Sequence, residues 1–575
     1  MRRFLAILVF IGLSFMVSAQ TVEVKHLSER RTLARTDGGS GVLLLPVQEN
    51  APEASIKVLA DTKLWQTINV RLAIDKVDYF APLELDQWQG KSVLLDVTSA
   101  RRDRRGDICW EMIRHAGAFD PPAPEPYRPS YHFSPSFGWM NDPNGMVYKD
   151  GLWHLFFQYN PYGNIWGNMT WGHAVSRDLI HWEQWDNAIL PNELGSVFSG
   201  SAVVDENNTA GFGKGAIVAM YTSAGTTQTQ SIAWSTDGGK SFSIYGNNPV
   251  IVADIPDFRD PKLFWDNGSR QWKVVLAAGQ EVQFWASDNL RDWKYESSFG
   301  KGFGCHDGVW ECPDFFELDG KWILIVNINP GGPFGGSATQ YFVGEYDGNR
   351  FKCDNAPGTT RWMDYGKDHY ATVTWSGAPD GRRVAIAWMS NWQYANVAPT
   401  KGFRSANSVP RDLKLVSRPD GPVLVSSPSP EVEALRGKAR VARLGSKPIK
   451  LFQEPRGAYE IVLQFVPPKK GLVSLALSND LGENVLMSYD PTAKTFSMDR
   501  KVSGNVAFSE DFPSVTVAPT LPGKQVSIRL LVDNSSIEIF GDDFCMTNLV
   551  FPSTPFNTIT ATGAKVQATI YPLNP

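Results

Sequence analysis

Asp142-Pro143-Asn144-Gly145-Met146-Val147-Tyr148 decides the architecture, because its layout returns along the chain. An acid stands before a proline and an apolar run. A turn follows at Asp150-Gly151, and a tryptophan leads the next run, Trp153-His154-Leu155-Phe156. Two apolar stretches joined by Asp-Gly read as a β-hairpin. The layout recurs at Asp260-Pro261-Lys262-Leu263-Phe264-Trp265, with a turn at Asn267-Gly268 and Trp272 beyond it. It recurs again at Glu311-Cys312-Pro313-Asp314-Phe315-Phe316, with Asp319-Gly320 and Trp322. Weaker copies begin at Ser199-Gly200-Ser201-Ala202-Val203 and at Asp368-His369-Tyr370-Ala371-Thr372-Val373. A second signature interleaves with the first: Ser176-Arg177-Asp178-Leu179 leads to Trp182, Ser235-Thr236-Asp237 to Phe242, and Ser287-Asp288-Asn289-Leu290 to Trp293. The starts at 142, 199, 260, 311 and 368 lie 51 to 61 residues apart. Several short strands per repeat of this length predict a β-propeller, and five starts predict five blades over 127–425.

The flanks complete an all-β reading. The chain has 575 residues, too many for one compact core. A proline-dense stretch, Phe119–Pro126, marks a linker ahead of the repeat, and a second break falls near Arg418–Pro430. Between 20 and 120, short apolar runs such as Val42–Val47, Ile56–Leu59 and Ser92–Val97 predict a small N-terminal β domain. Alternating runs at Leu472–Leu477, Val526–Val532 and Ser536–Phe540 predict a C-terminal β-sandwich over 437–575. The 50 Gly and 38 Pro, with 20 Trp, 32 Phe and 17 Tyr, favour short strands and many turns over long helices. Such an aromatic load builds β cores and also stacks against sugar rings.

Lys and Arg total 55 against 60 Asp and Glu, a net charge of −5, with no single-sign block of five. Nucleic acid and anionic membrane are therefore not expected partners. At the N-terminus, Arg2 and Arg3 precede the apolar run Phe4–Val17, and Val17-Ser18-Ala19 offers a small-residue cleavage site. Residues 1–19 thus read as a signal peptide cut after Ala19, placing the protein in a secreted or periplasmic compartment without membrane insertion. The five cysteines form no CxxC pair and no Cys/His metal spacing, so neither a metal nor a cofactor is expected.

The repeat also carries chemistry. The first strand of each propeller blade lines the central channel, so Asp142, Asp260 and Glu311 are expected at equivalent places around one funnel. A single acid there can simply cap its strand through Asx-type hydrogen bonds; three in one layout point to a site. Paired carboxylates among Trp and Gly suit cleavage of a glycosidic bond, where one must be ionised and the other protonated. Burial and mutual repulsion separate their pKa values. A hard cation could also use three acids, but no EF-hand-like loop accompanies them. No Ser/His/Asp set, P-loop or HExxH motif competes.

Three blocks carry a family resemblance: Trp139-Met140-Asn141-Asp142-Pro143-Asn144-Gly145, Phe157-Gln158-Tyr159-Asn160-Pro161 and Trp166-Gly167-Asn168-Met169-Thr170-Trp171-Gly172-His173. They closely resemble glycoside hydrolase family 32, the β-fructosidases. Arg259-Asp260-Pro261 and Glu311-Cys312-Pro313 match that family's other signature blocks in order, and the likeness extends over about 127–575. It implies a retaining hydrolase. Asp142 would be the nucleophile that forms a fructosyl-enzyme, Glu311 the general acid and then base, and Asp260 the stabiliser of the oxocarbenium-like transition state. The Asp142 and Glu311 carboxyls would then lie about 5–5.5 Å apart. Around the fructose, the resemblance places Asn141 and Gln158 on hydroxyls, Trp139 and Trp166 as walls, and Phe198, Ser199 and Arg259 in contact with the sugar. Asp368, Tyr370 and Trp388 match less specific blocks, with core packing an equal alternative for Trp388.

Release of terminal fructose from levan or inulin, and from sucrose, is the first reading, since a walled funnel accepts a chain end. Endo-acting levanase action and fructosyl transfer are alternatives that use the same acids. A non-catalytic fructan-binding protein is the alternative of another class. The 20–120 domain is read as structural, with glycan binding as the alternative.

Overall fold

The computed structural model describes residues 22–121, 125–418, 421–521 and 523–575. The expected signal peptide and part of the expected linker lie outside the described residues. The chain divides into two compact units, 1–120 and 121–575.

In the first unit, strands Ala54–Ala60 and Ser92–Ser99 alternate buried and exposed residues, the period-two pattern of a sheet with one covered face. They form the middle of a five-stranded sheet with Glu23–His26, Arg31–Asp37 and Lys63–Val70. A three-stranded sheet of Tyr79–Glu84, Val42–Val47 and Arg114–Ala116 completes the unit. Leu45, Ile56, Val58, Trp88 and Leu95 are buried in its core.

The second unit contains five four-stranded antiparallel blades, one for each repeat start. Their innermost strands are Gly138–Lys149, Ser196–Asp205, Phe258–Asp266, Val309–Leu318 and Tyr370–Thr374. The third strands of the first and second blades are Thr170–Ser176 and Gln228–Ser235, where the Ser-x-Asp signature ends them. In the first blade Asp178 explains that signature: its carboxylate accepts from Ser176 Oγ and from the amides of Ile180 and His181, closing the turn into the outer strand. Phe403–Arg404 adds to the first blade in parallel, beside Gly138–Trp139, and ties the late chain to the propeller's start. The fifth blade ends with Val423–Pro428.

Two six-stranded sheets follow, enclosing a core that includes Tyr459, Ile461, Leu475, Phe496, Ile537 and Ile559. Buried ion pairs join this sandwich to the propeller. Arg411 Nη1 meets Asp364 at 2.8 Å and its Nη2 meets Glu538. His132 contacts Asp533 and Glu538, each at 2.8 Å. Arg500, from the sandwich, binds Asp368.

Candidate active site

Each innermost strand is interrupted at the same place. The ladder jumps between Met140 and Pro143, Val197 and Gly200, Arg259 and Lys262, Glu311 and Asp314, and Tyr370 and Val373. At each jump two residues oppose one on the neighbouring strand, the signature of a β-bulge, which re-aims side chains. The bulged pairs are Asn141–Asp142, Phe198–Ser199, Asp260–Pro261, Cys312–Pro313 and Ala371–Thr372. Asp260, Cys312 and Ala371 share a left-handed backbone with φ of 64°, 42° and 53°. Five equivalent bulges therefore turn five pairs of side chains out of the ladder.

This register corrects the expectation that the three acids are equivalent. Glu311 is the last paired residue before its bulge, and its blade-mates are Arg259 and Tyr370. Asp260 opens its bulge, as Cys312 does. Asp142 closes its bulge, as Ser199 does. The sequence shows one step of this offset, since Asp260 directly precedes Pro261 whereas Cys312 separates Glu311 from Pro313; the other step is structural, since Pro261 lies inside its bulge and Pro143 is the first paired residue beyond its own. The acids are staggered over three successive positions.

The stagger lets neighbours hold each carboxylate. Ser199 Oγ donates to Asp142 Oδ2 at 2.8 Å. The Cys312 amide donates to Asp260 Oδ2 at 2.9 Å, and its thiol lies 3.5 Å from both Asp142 Oδ2 and Asp260 Oδ2. Thr222 Oγ1 accepts from the Asp260 amide at 2.9 Å, bracing the left-handed turn. Glu311 is gripped from both sides: Arg259 Nη2 donates to Oε1 at 2.8 Å and the Tyr370 hydroxyl donates to Oε2.

Burial pushes the Asp142 carboxyl up, and the charge of Glu311 adds to the effect, against the lowering by Ser199. Burial pushes Asp260 up to about 7, with Arg259 pulling it back and Glu311 and Asp142 raising it. Burial and the three surrounding acids hold the Cys312 thiol well above its ordinary value, so it remains protonated and is not a nucleophile.

Asn141, Asp142, Gln158, Trp166, Phe198, Ser199, Arg259, Asp260 and Glu311 line one cavity of about 420 Å³, within the range of small-molecule sites. Trp166 is 43% exposed and meets Phe198 edge-on at 6.0 Å, so the two form a wall. Behind the bulges, Pro143, Gly200, Lys262 and Val373 help line a separate cavity of only about 10 Å³. Lys262 Nζ crosses it to Asp314 Oδ2 at 3.0 Å and to the Thr374 carbonyl at 2.7 Å. The funnel is thus closed beneath the carboxylates.

Four of the sequence-predicted residues lie behind this cavity. Trp139 is fully buried and donates from Nε1 to Asn141 Oδ1 at 2.8 Å, so it supports Asn141 and does not wall the cavity. Trp388 is buried beside Trp139 and Trp392. Tyr370 is buried with its hydroxyl on Glu311. Asp368 lies outside the cavity altogether: fully buried, it accepts from the Tyr394 hydroxyl, the Arg500 guanidinium and the Leu549 amide. Conversely, Gln228, Asp257 and Trp392 line the cavity without having been read from the sequence. Asp257 had a visible signal, two residues ahead of Arg259. Trp392, stacked on Trp139 at 5.9 Å, and Gln228 had none. Among the described residues, no cluster of His, Cys, Asp and Glu has metal-site geometry.

The family model for the N-terminal domain of glycosyl hydrolases family 32 matches residues 132–428, and the one for that family's C-terminal domain matches 431–572. A domain of unknown function matches 28–131. The chain is 45% identical to a levanase of Bacillus subtilis (strain 168), covering 78% of this chain and 71% of that protein. It is 41% identical to an extracellular exo-inulinase of Aspergillus niger, covering 77% and 92%. Among solved structures, exo-inulinase from Aspergillus awamori superposes with a TM-score of 0.73 at 38% identity, over 78% of this chain and 98% of that one. Fructofuranosidase from Schwanniomyces occidentalis complexed with fructose gives 0.72 at 34%, over 78% and 99%.

Proposed function

This chain belongs to glycosyl hydrolase family 32 and is a β-fructosidase of fructans or sucrose, and from that premise we propose that it releases terminal fructose with retention through Asp142, Glu311 and Asp260. The observation that carries the reading is the three staggered carboxylates in one cavity whose floor is closed by Lys262 and Asp314. A closed floor accepts one sugar and stops the chain there.

In the first step Asp142 attacks the anomeric carbon. Ser199 and the Cys312 thiol donate to Oδ2, which offsets the burial of a group that must be ionised to react. As that bond forms, the glycosidic bond breaks and the Glu311 proton passes to the leaving oxygen. In the second step Glu311, now a carboxylate, takes a proton from water, which attacks the same carbon and frees Asp142. Arg259 and Tyr370 hold Glu311 throughout. Asp260 faces the sugar hydroxyls, and its charge opposes the positive charge that develops on the ring. Asn141 and Gln158 supply further polar contacts, and Trp166 and Phe198 an apolar wall.

Extracellular relatives and the N-terminal Arg2-Arg3 with its apolar run support export. No helix among the described residues is long and apolar enough to cross a membrane.

Chromatography of early products from levan, inulin and sucrose, with Asp142→Ala as control, tests the proposal. Fructose alone from the outset is expected. A ladder of oligosaccharides would replace exo with endo action, and oligomers longer than the substrate would mean transfer. Retained binding without any product would leave a fructan-binding protein.

A further inference from the structure

Asp257 stands at the rim of the cavity, with no part in the steps above. Its backbone is left-handed, φ 54°, a conformation that Asp and Asn tolerate better than other side chains. That turn aims its carboxylate at Arg259, two residues on, where Oδ1 accepts from Nη1 at 2.6 Å. Gln228 Oε1, from the second blade, accepts from the same nitrogen at 3.2 Å. The other arm of the guanidinium, Nη2, is the donor to Glu311 Oε1. A guanidinium is a rigid planar fork, so fixing Nη1 fixes the direction of Nη2.

Glu311 is therefore positioned at second hand. One of its oxygens is held by Tyr370, which is buried and has little freedom. The other is held by Arg259, whose long side chain would sample several rotamers without an anchor. Asp257 and Gln228 are that anchor. The charges facing Arg259 are Asp257, Glu311 and Asp260, the last 3.8 Å from Nε. Asp257 thus also shares the cation that would otherwise face Glu311 and Asp260 alone.

We propose that Asp257 is a positioning residue for the proton-donor step: it fixes Arg259 and, through Arg259, keeps Glu311 aimed at the leaving oxygen. The proposal rests on the general-acid role assigned to Glu311 above. The prediction concerns a single proton. Sucrose loses its glucosyl oxygen only as that oxygen receives the Glu311 proton. A nitrophenyl β-fructofuranoside expels nitrophenolate as an anion, with the same attack by Asp142 and no proton required. Misaiming Glu311 should damage the first reaction and spare the second.

The test compares kcat/KM, which reports steps through departure of the leaving group, for both substrates in Asp257→Gly and Asp257→Asn. Glycine keeps the left-handed backbone without strain, and asparagine keeps an acceptor for Arg259. Asp257→Gly is expected to lower kcat/KM about tenfold on sucrose and less than about threefold on the nitrophenyl substrate. Asp257→Asn should recover most of the sucrose loss. Equal losses on both substrates, or no loss, would overturn the proposal. Should the glycine variant fail to fold, Asp257→Ser carries the test, because its short side chain no longer reaches the guanidinium while Arg259 itself is unchanged, and it should show the same discrimination. Glu311→Ala, run in parallel, separates the two ideas. If it too loses both substrates equally, the acid role of Glu311 falls and the proposal with it. If it discriminates and the Asp257 variants do not, the proposal alone falls.

Discussion

His132 ties the propeller to the sandwich, and the structure sets how much stability its proton carries. Its side chain is fully buried between Asp533 Oδ2 and Glu538 Oε1, both at 2.8 Å. Both contacts are good only if both ring nitrogens carry hydrogen, so the imidazolium is the form that fits. Burial alone would lower its pKa, but the two carboxylates overcome it and raise the value from 6.5 to about 9. Arg411, on the other oxygen of Glu538, helps keep that acid ionised, at about 2. The folded state binds the His132 proton more tightly than the unfolded chain does. The proton's stabilisation is therefore complete below the unfolded pKa and is lost as pH rises through the folded one. A rise from 6.5 to about 9 corresponds to roughly 3 kcal/mol below pH 6. Most of this remains at pH 7 and almost none at pH 10.

The perturbation is His132→Gln, which keeps a side-chain amide and removes the charge. Urea unfolding of both proteins at pH 7 and pH 10 reads the difference directly, because other groups that titrate in this window do so in both. The wild-type advantage should be about 2–3 kcal/mol at pH 7 and should collapse by pH 10. An advantage of the same size at both pH values would mean that His132 contributes packing or neutral hydrogen bonds, and the argument from its proton would fail.

Asp260→Asn should abolish most activity while raising stability above pH 7, where the wild-type carboxylate is ionised against its burial. Below about pH 4 the gain should vanish, since the wild-type acid is then protonated in both states, and melting curves across pH check this. Arg411→Met strands Asp364 and Glu538 as buried carboxylates at the propeller–sandwich junction, so a loss of about 3–5 kcal/mol is expected in denaturant unfolding. Trp166→Ala removes a half-exposed wall of the cavity and should raise KM for sucrose severalfold while leaving the melting temperature within about 1–2 °C.

What could be read from the chain was whatever repeats locally. Acid, proline, apolar run, turn and tryptophan lie within about twenty residues of one another, so three blades announced their own first hairpins and the spacing pointed to the other two. The ring of acids followed from that repetition, whereas Asn141, Phe198, Ser199 and Arg259 were named by the family resemblance, and the structure sets them in or beside the same bulges. The stagger was harder to see, because it depends on Cys312 being counted as a spacer before Pro313 and on where each bulge falls relative to Pro143 and Pro261. Side of burial was not legible at all for Trp139 and Trp388. A bulge reverses the alternation that would otherwise assign inside and outside, so neighbours such as Trp139 and Asn141 end up bonded to each other, with only Asn141 lining the cavity. Asp368 illustrates the other limit. Its partner Arg500 lies 132 residues away in another domain, and an acid committed to a buried cation cannot also serve a sugar. Gln228 and Trp392 were missed for a related reason: only closure of the five blades brings them to one rim. A repeat thus reveals the residues that each blade presents by itself, whereas residues recruited by closure or by the sandwich become visible only once the chain has folded around them.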